Sequence, residues 1–85
     1  MKRIEIYTNS HCPYCRRAKE LLHIKGVEFV EYDVTSDPAK EQEMRSRSGR
    51  SRFPEIFIAD RLVGGCSELF DLDEKGELDR LLRLS

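Results

Sequence analysis

Ser10-His11-Cys12-Pro13-Tyr14-Cys15-Arg16 is the stretch from which the rest of the chain takes its meaning. Before it, Ile4 to Thr8 (I-E-I-Y-T) is rich in β-branched and aromatic residues and predicts a short strand. After it, Tyr14, Ala18, Leu21 and Leu22 recur at three- and four-residue spacing from Pro13 to about Lys25. That spacing predicts an amphipathic helix with Arg16, Arg17, Lys19, Glu20 and His23 on its outer side and Gly26 as its stop. Two thiols therefore sit where a strand turns into a helix. Pro13 suits the first helical position, where its missing N–H costs nothing. The unpaired N–H groups and dipole of a helix N-terminus stabilise an adjacent anion, which favours the first sulfur as a thiolate. Cys12 reads as a nucleophile and Cys15, one turn deeper, as the thiol that resolves it. The C-x-x-C spacing at this place is that of a redox-active dithiol.

The benefit of an acidic thiol lies mainly in leaving. For a thiol brought from about 8.5 to about 5.5, the thiolate fraction at pH 7 rises roughly thirtyfold. Intrinsic nucleophilicity falls roughly twentyfold over the same span. As an attacking group such a sulfur gains little, but it is expelled easily when a second thiol attacks its mixed disulfide.

The bulk properties exclude several classes. Eighty-five residues make one domain, residues 1–85, with a small core. Fifteen Lys and Arg nearly balance sixteen Asp and Glu, so charge points to neither nucleic acid nor an acidic membrane. No apolar run approaches the ~20 residues of a membrane span, and no signal-peptide pattern opens the chain. Three cysteines make a poor disulfide framework but suit a cycling dithiol and one spare thiol in a reducing cytoplasm.

Further along, Val27 to Val34 predicts a second strand, parallel to the first because a helix connects them. Ser36-Asp37-Pro38 is a helix start. The polar segment Ala39 to Ser48, with Ala39 and Met44 as its apolar anchors, predicts a helix stopped by Gly49. Glu55 to Ile58 and Arg61 to Val63 predict a hairpin about an Ala59-Asp60 turn, broken by Gly64-Gly65. Cys66 or Ser67 then opens a helix that ends near Gly76, and Leu78, Leu81 and Leu82 mark one more helical face. The order β-α-β-α-β-β-α describes an α/β fold, a four-stranded mixed sheet flanked by helices.

Other features have ordinary explanations that compete with functional ones. A zinc site wants four ligands, and beyond the Cys12/Cys15 pair only Cys66, His11 and His23 remain, so no metal is expected. Composition alone makes Pro54 a strand boundary, because only about one X-Pro bond in twenty is cis. Gly64-Gly65-Cys66-Ser67-Glu68 is either a tight turn or a helix N-terminus able to hold a carboxylate. Arg45, Arg47, Arg50 and Arg52 read as a solvated charged face. A narrower reading has Arg50 or Arg52, just before Pro54, pairing with a carboxylate of a small anionic ligand.

Taken together, Ile6-Tyr7-Thr8, Cys12-Pro13-Tyr14-Cys15, Arg47-Ser48-Gly49-Arg50, Pro54-Glu55-Ile56-Phe57-Ile58 and Gly64-Gly65-Cys66 resemble the dithiol glutaredoxins over essentially the whole chain. The resemblance implies a thioredoxin-like fold and a glutathione-dependent thiol–disulfide oxidoreductase in which Cys12 attacks and Cys15 resolves. It implies glutathione as cosubstrate with no tightly bound cofactor, disulfide-containing or glutathionylated proteins as partners, and a monomer. Tyr14, Phe53, Pro54, Gly65, Cys66 and Ser67 match positions that line the family's glutathione groove, with Pro54 as its cis-proline. Three positions depart from the family pattern: Asn9 stands where Lys is frequent, Arg52-Phe53 where Thr-Val is usual, and Ser67 where Asp is usual. Arg52 is expected to restore the charge missing at Asn9, and Glu68 to replace the carboxylate missing at Ser67. Two rival functions are a redoxin reduced by thioredoxin reductase, which Pro13-Tyr14 disfavours, and an iron–sulfur binding module, which a retained Cys15 disfavours.

Overall fold

The computed structural model describes residues 2–83. Its elements run β1 (Ile4–Thr8), α1 (Pro13–Ile24), β2 (Val30–Asp33), α2 (Pro38–Ser48), β3 (Glu55–Ile58), β4 (Arg61–Gly64), α3 (Cys66–Glu74) and α4 (Glu77–Arg83). The sheet order is β2-β1-β3-β4, with β1 parallel to β2 and antiparallel to β3. Ala59 and Asp60 both take positive φ, 52° and 66°, as a two-residue hairpin turn requires. One strand starts later than the sequence expectation. Strand β2 begins only at Val30, because Val27 and Phe29 pack against the core before pairing starts. The last α of the expected order is two helices, with the expected stop near Gly76 (φ +75°) between α3 and the leucine-marked face of α4. No helix among the described residues is long and apolar enough to cross a membrane.

The alternation in β1 assigns its side chains to two faces. Ile4 and Ile6 join Ile56 and Ile58 of β3 beneath Ala18, Leu21 and Leu22 of α1, Cys66 and Leu69 of α3, and Leu78 and Leu82 of α4. Tyr7 turns to the opposite face, with Phe57, Val34 and Met44.

That second face explains how so polar a segment as α2 forms and stays in place. Asp37 caps it by accepting from the Lys40 N–H at 3.1 Å, and Gly49, at φ +71°, ends it in the left-handed region. Met44 is its only buried residue; the expected second anchor, Ala39, is exposed. Burying a side chain such as Met44 is worth roughly 1.5–3 kcal/mol. The remaining cover comes from cations on aromatic rings. The Arg47 guanidinium lies 4.0 Å from the centre of Phe57, and Lys40 Nζ lies 4.3 Å from that of Tyr32. Arg47 also donates to both oxygens of the buried Glu5, at 3.1 and 3.2 Å, and to Tyr7 Oη at 2.8 Å. The arginine run is therefore not one solvated face. Arg45 pairs with Glu41 on the surface, Arg47 closes the sheet, and Arg50 and Arg52 belong to the site.

Candidate active site

The strand-to-helix junction after β1 is tied down by backbone contacts. Asn9 Oδ1 accepts from His11 N–H at 2.9 Å, and the Asn9 carbonyl accepts from Cys12 N–H at 3.1 Å. Cys12 is the N-cap of α1, Pro13 its first residue, and no acidic side chain lies in the first turn to compete with a thiolate. Cys12 is partly exposed and its thiol donates to the Phe53 carbonyl at 3.6 Å. Cys15 lies one turn deeper, 2% exposed. Burial pushes the Cys15 thiol up to about 12; a backbone hydrogen bond at Asn9 works against that shift, while the neighbouring Cys12 adds to it. Cys15 is thus a thiol at neutral pH, and the accessible sulfur is Cys12.

Beside Cys12 opens a cavity of about 510 Å³. Tyr14 stands at its α1 wall, Arg52, Phe53 and Pro54 form the strand-entry wall, and Gly65, Cys66 and Ser67 form the wall at the start of α3. All seven groove residues expected from the sequence are brought together. The Phe53–Pro54 peptide bond is cis, as the family resemblance implies and composition alone did not. Close approach favours glycine at position 65, since a Cβ there would sit a tight 3.2 Å from the Pro54 carbonyl oxygen. Burial also raises the Cys66 thiol, with the Arg17 charge opposing it.

The sequence reading left out Arg17 and Phe70, which also line the cavity, with the Arg17 guanidinium 5.5 Å from the centre of Phe70. A signal was available. Arg17 is one turn beyond Pro13, and Phe70 one turn beyond Cys66, so each lies on the helical face its motif already presents to the site.

Glu68 does not stand free as a substitute carboxylate. Its Oε1 accepts from Gly65 N–H at 2.6 Å, and Arg50 Nη2 lies 3.8 Å away. That backbone bond, the largest influence, holds the Glu68 carboxyl below its usual range. Asn9 lines a different recess from Arg52, so the two departures from the family pattern do not share one pocket.

Beneath Arg50 lies a buried carboxylate, Glu55, fully inaccessible in the first position of β3. Arg50 Nε approaches Oε2 to 3.3 Å, which supplies charge attraction, but neither oxygen has a hydrogen-bond partner among the described residues. Burial raises the Glu55 carboxyl above its ordinary 4.5, with the Arg50 charge opposing the shift. A carboxyl whose folded value lies above its unfolded one costs stability as pH rises from about its unfolded value through its folded one. Glu55→Gln is therefore expected to stabilise the protein at pH 7 by about 1 kcal/mol, or some 4–8 °C in Tm for a domain this small. The gain should vanish toward pH 4 in thermal melts recorded across pH. A gain of the same size at both pH values would show that the charge on Glu55 is not its cause.

Comparison with known proteins places this arrangement. The family model for Glutaredoxin matches residues 4–63. Glutaredoxin 3 of Escherichia coli strain K12 is 51% identical over 83 residues, 98% of this chain and 100% of that protein. The solution structure of a glutaredoxin from Brucella melitensis is 51% identical, with a TM-score of 0.85, covering 98% of this chain and 90% of that one. A buckwheat glutaredoxin crystallised as a glutathione complex shares the fold at 21% identity and a TM-score of 0.87, over 95% of this chain and 76% of its own. The chain belongs to the glutaredoxin family of glutathione-dependent thiol–disulfide oxidoreductases.

Proposed function

We propose that this protein reduces glutathione mixed disulfides and protein disulfides with electrons from glutathione, through Cys12 as nucleophile and Cys15 as resolving thiol. The observation that carries this reading is the partly exposed Cys12 sulfur at the N-terminus of α1, bonded to Phe53 at the edge of a cationic groove, with Cys15 buried behind it. In the monothiol route, the Cys12 thiolate attacks the glutathionyl sulfur and the protein thiolate leaves. A second glutathione attacks the Cys12 mixed disulfide, expels Cys12 and departs as oxidised glutathione. In this route one glutathione thiol is oxidised for each mixed disulfide reduced, the other half of the oxidised glutathione coming from the mixed disulfide itself. In the dithiol route, Cys12 attacks a protein disulfide and Cys15 closes on Cys12, leaving a Cys12–Cys15 disulfide for glutathione to reduce.

Glutathione carries two carboxylates, and Arg17, Arg50 and Arg52 give the groove its cations. Tyr14, Phe53 and Pro54 supply apolar wall, and the N-terminal end of α3 at Cys66 and Ser67 offers backbone N–H groups. We place the protein in the cytoplasm as a monomer acting on glutathionylated or disulfide-bonded proteins, with glutathione as a cosubstrate and no resident cofactor.

The donor tests the reading. With NADPH, glutathione reductase and glutathione, the protein should turn over a glutathione mixed disulfide, and with thioredoxin reductase alone it should not. The reverse pattern would overturn the assignment. Arg52→Ala is expected to weaken glutathione binding by about 1–3 kcal/mol, roughly fivefold to 150-fold in Kd. Because Arg52 is exposed, the loss should shrink as salt is added. Isothermal titration of the Cys15→Ser variant at two ionic strengths measures it, and an unchanged affinity at low salt would remove Arg52 from the site.

A further inference from the structure

The buried sulfur of Cys15 has its own approach, separate from the glutathione groove. A polar recess of about 250 Å³ on the β1–β2 side is lined by both Cys12 and Cys15. Its walls are Thr8 of β1, Arg16 and Lys19 of α1, Glu31 and Asp33 of β2, and Asn9 and Ser10 of the intervening loop. The acidic groups there are already engaged. Glu31 accepts from Lys19 at 2.9 Å and from Thr8 at 2.7 Å, and Asp33 accepts from Thr35 at 2.6 and 3.0 Å. Burial pushes the Glu31 carboxyl up, but the bonds from Lys19 and Thr8 more than offset this, so it titrates below its usual range. Such a carboxylate is too weak a base to take a proton from a thiol near 12. Its use is to hold Lys19.

Lys19 is four residues after Cys15, on the same face of α1. A helical side chain leans back over the turn N-terminal to its own Cα, which for Lys19 is the turn that carries Cys15. Arg16, one residue from Cys15, points along a different direction of the helix. Resting on the dithiol reading above, we infer that Lys19, held by Glu31, which Thr8 in turn anchors, is a positioning residue for the dithiol step, its ammonium stabilising the Cys15 thiolate as it forms. The Lys19 charge also opposes the burial shift of Cys15. In the step itself, Cys15 loses its proton to solvent in the recess and its sulfur bonds Cys12 Sγ. The Cys12–S bond to the substrate breaks, and the substrate thiolate leaves and takes up a proton. Cys12 and Cys15 are oxidised to one disulfide as the substrate disulfide is reduced.

The test separates the two routes within one protein. Reduced protein is mixed with oxidised glutathione, quenched with acid and assayed by mass spectrometry for the Cys12–Cys15 disulfide. The monothiol route is followed in parallel with hydroxyethyl disulfide, glutathione and glutathione reductase. Lys19→Met should slow ring closure about tenfold at pH 7, the effect of losing one unit of thiolate stabilisation, with the deficit shrinking as pH is raised. It should leave the monothiol route unchanged, and Lys19→Arg should restore closure. Unchanged closure in Lys19→Met, an equal loss on both routes, or failure of arginine to rescue would overturn the inference. Cys15→Ser controls for the parent reading. If that variant still reduces a protein disulfide at the normal rate, the dithiol route falls and the role of Lys19 falls with it. If it does not, while Lys19→Met closes normally, only the role of Lys19 is lost.

Discussion

Cys12→Ser is expected to abolish turnover of both glutathione mixed disulfides and protein disulfides, a loss of more than about a thousandfold. A serine hydroxyl at the N-cap of α1 would keep the fold but cannot form or release a mixed disulfide. Cys15→Ser should behave quite differently. Its sulfur is buried and remains a thiol at neutral pH, so it takes no part when glutathione itself releases Cys12. The variant should retain most activity on glutathione mixed disulfides and lose the reduction of protein disulfides that depends on ring closure. A coupled assay with glutathione reductase distinguishes the two variants, and equal losses in both would show that the thiols act only as a pair.

Arg47→Ala should have the largest effect on stability without touching a sulfur. Glu5 is 5% exposed, and Arg47 supplies two of its hydrogen bonds. Removing one member of a buried ion pair strands the other and typically costs about 3–5 kcal/mol. Arg47 also covers Phe57 and bonds Tyr7, so α2 would lose much of its seat on the sheet. Burial pushes Glu5 up, but Arg47, Tyr32 and Arg3 more than offset this and leave it below its ordinary 4.5. The pair therefore stabilises above the unfolded carboxylate value and is lost as pH falls through the lower folded one. Denaturant unfolding at pH 7 should show the full deficit for Arg47→Ala, and the difference from wild type should narrow in acid. Glu5→Gln combined with Arg47→Met, which removes both charges, should cost less than Arg47→Ala alone. A deficit below about 1 kcal/mol at pH 7 would place this arginine among the exposed pairs that contribute little.

The sequence is most legible where short-range chemistry decides the structure. The C-x-x-C spacing with Pro13 fixed the thiols at a helix start, and Ala59-Asp60 fixed the hairpin. Periodicity in α1 pointed its leucines to the core. Legibility fails where partners are remote in sequence. Nothing near Arg47 indicates that its carboxylate is Glu5, forty-two positions away, so a run of arginines looked like one solvated surface. The groove shows the same limit. Cys12, Phe53 and Gly65 come from three separate turns, and only the sheet order β2-β1-β3-β4 brings those turns to one side. Arg17 and Phe70 escaped because they extend a motif along a helix face instead of lying within it. The C-terminus was legible by contrast, Gly76 marking the stop of one helix and Leu78, Leu81 and Leu82 the face of the next.

The account rests on Cys12 being the sulfur that carries glutathione. Incubating the Cys15→Ser variant with oxidised glutathione and mapping the product by mass spectrometry tests that directly, because no second thiol can resolve the adduct by ring closure. The account predicts one glutathionyl group per chain, on Cys12, released when reduced glutathione is added. An adduct found on Cys66 with Cys12 free, or no adduct at all, would contradict it.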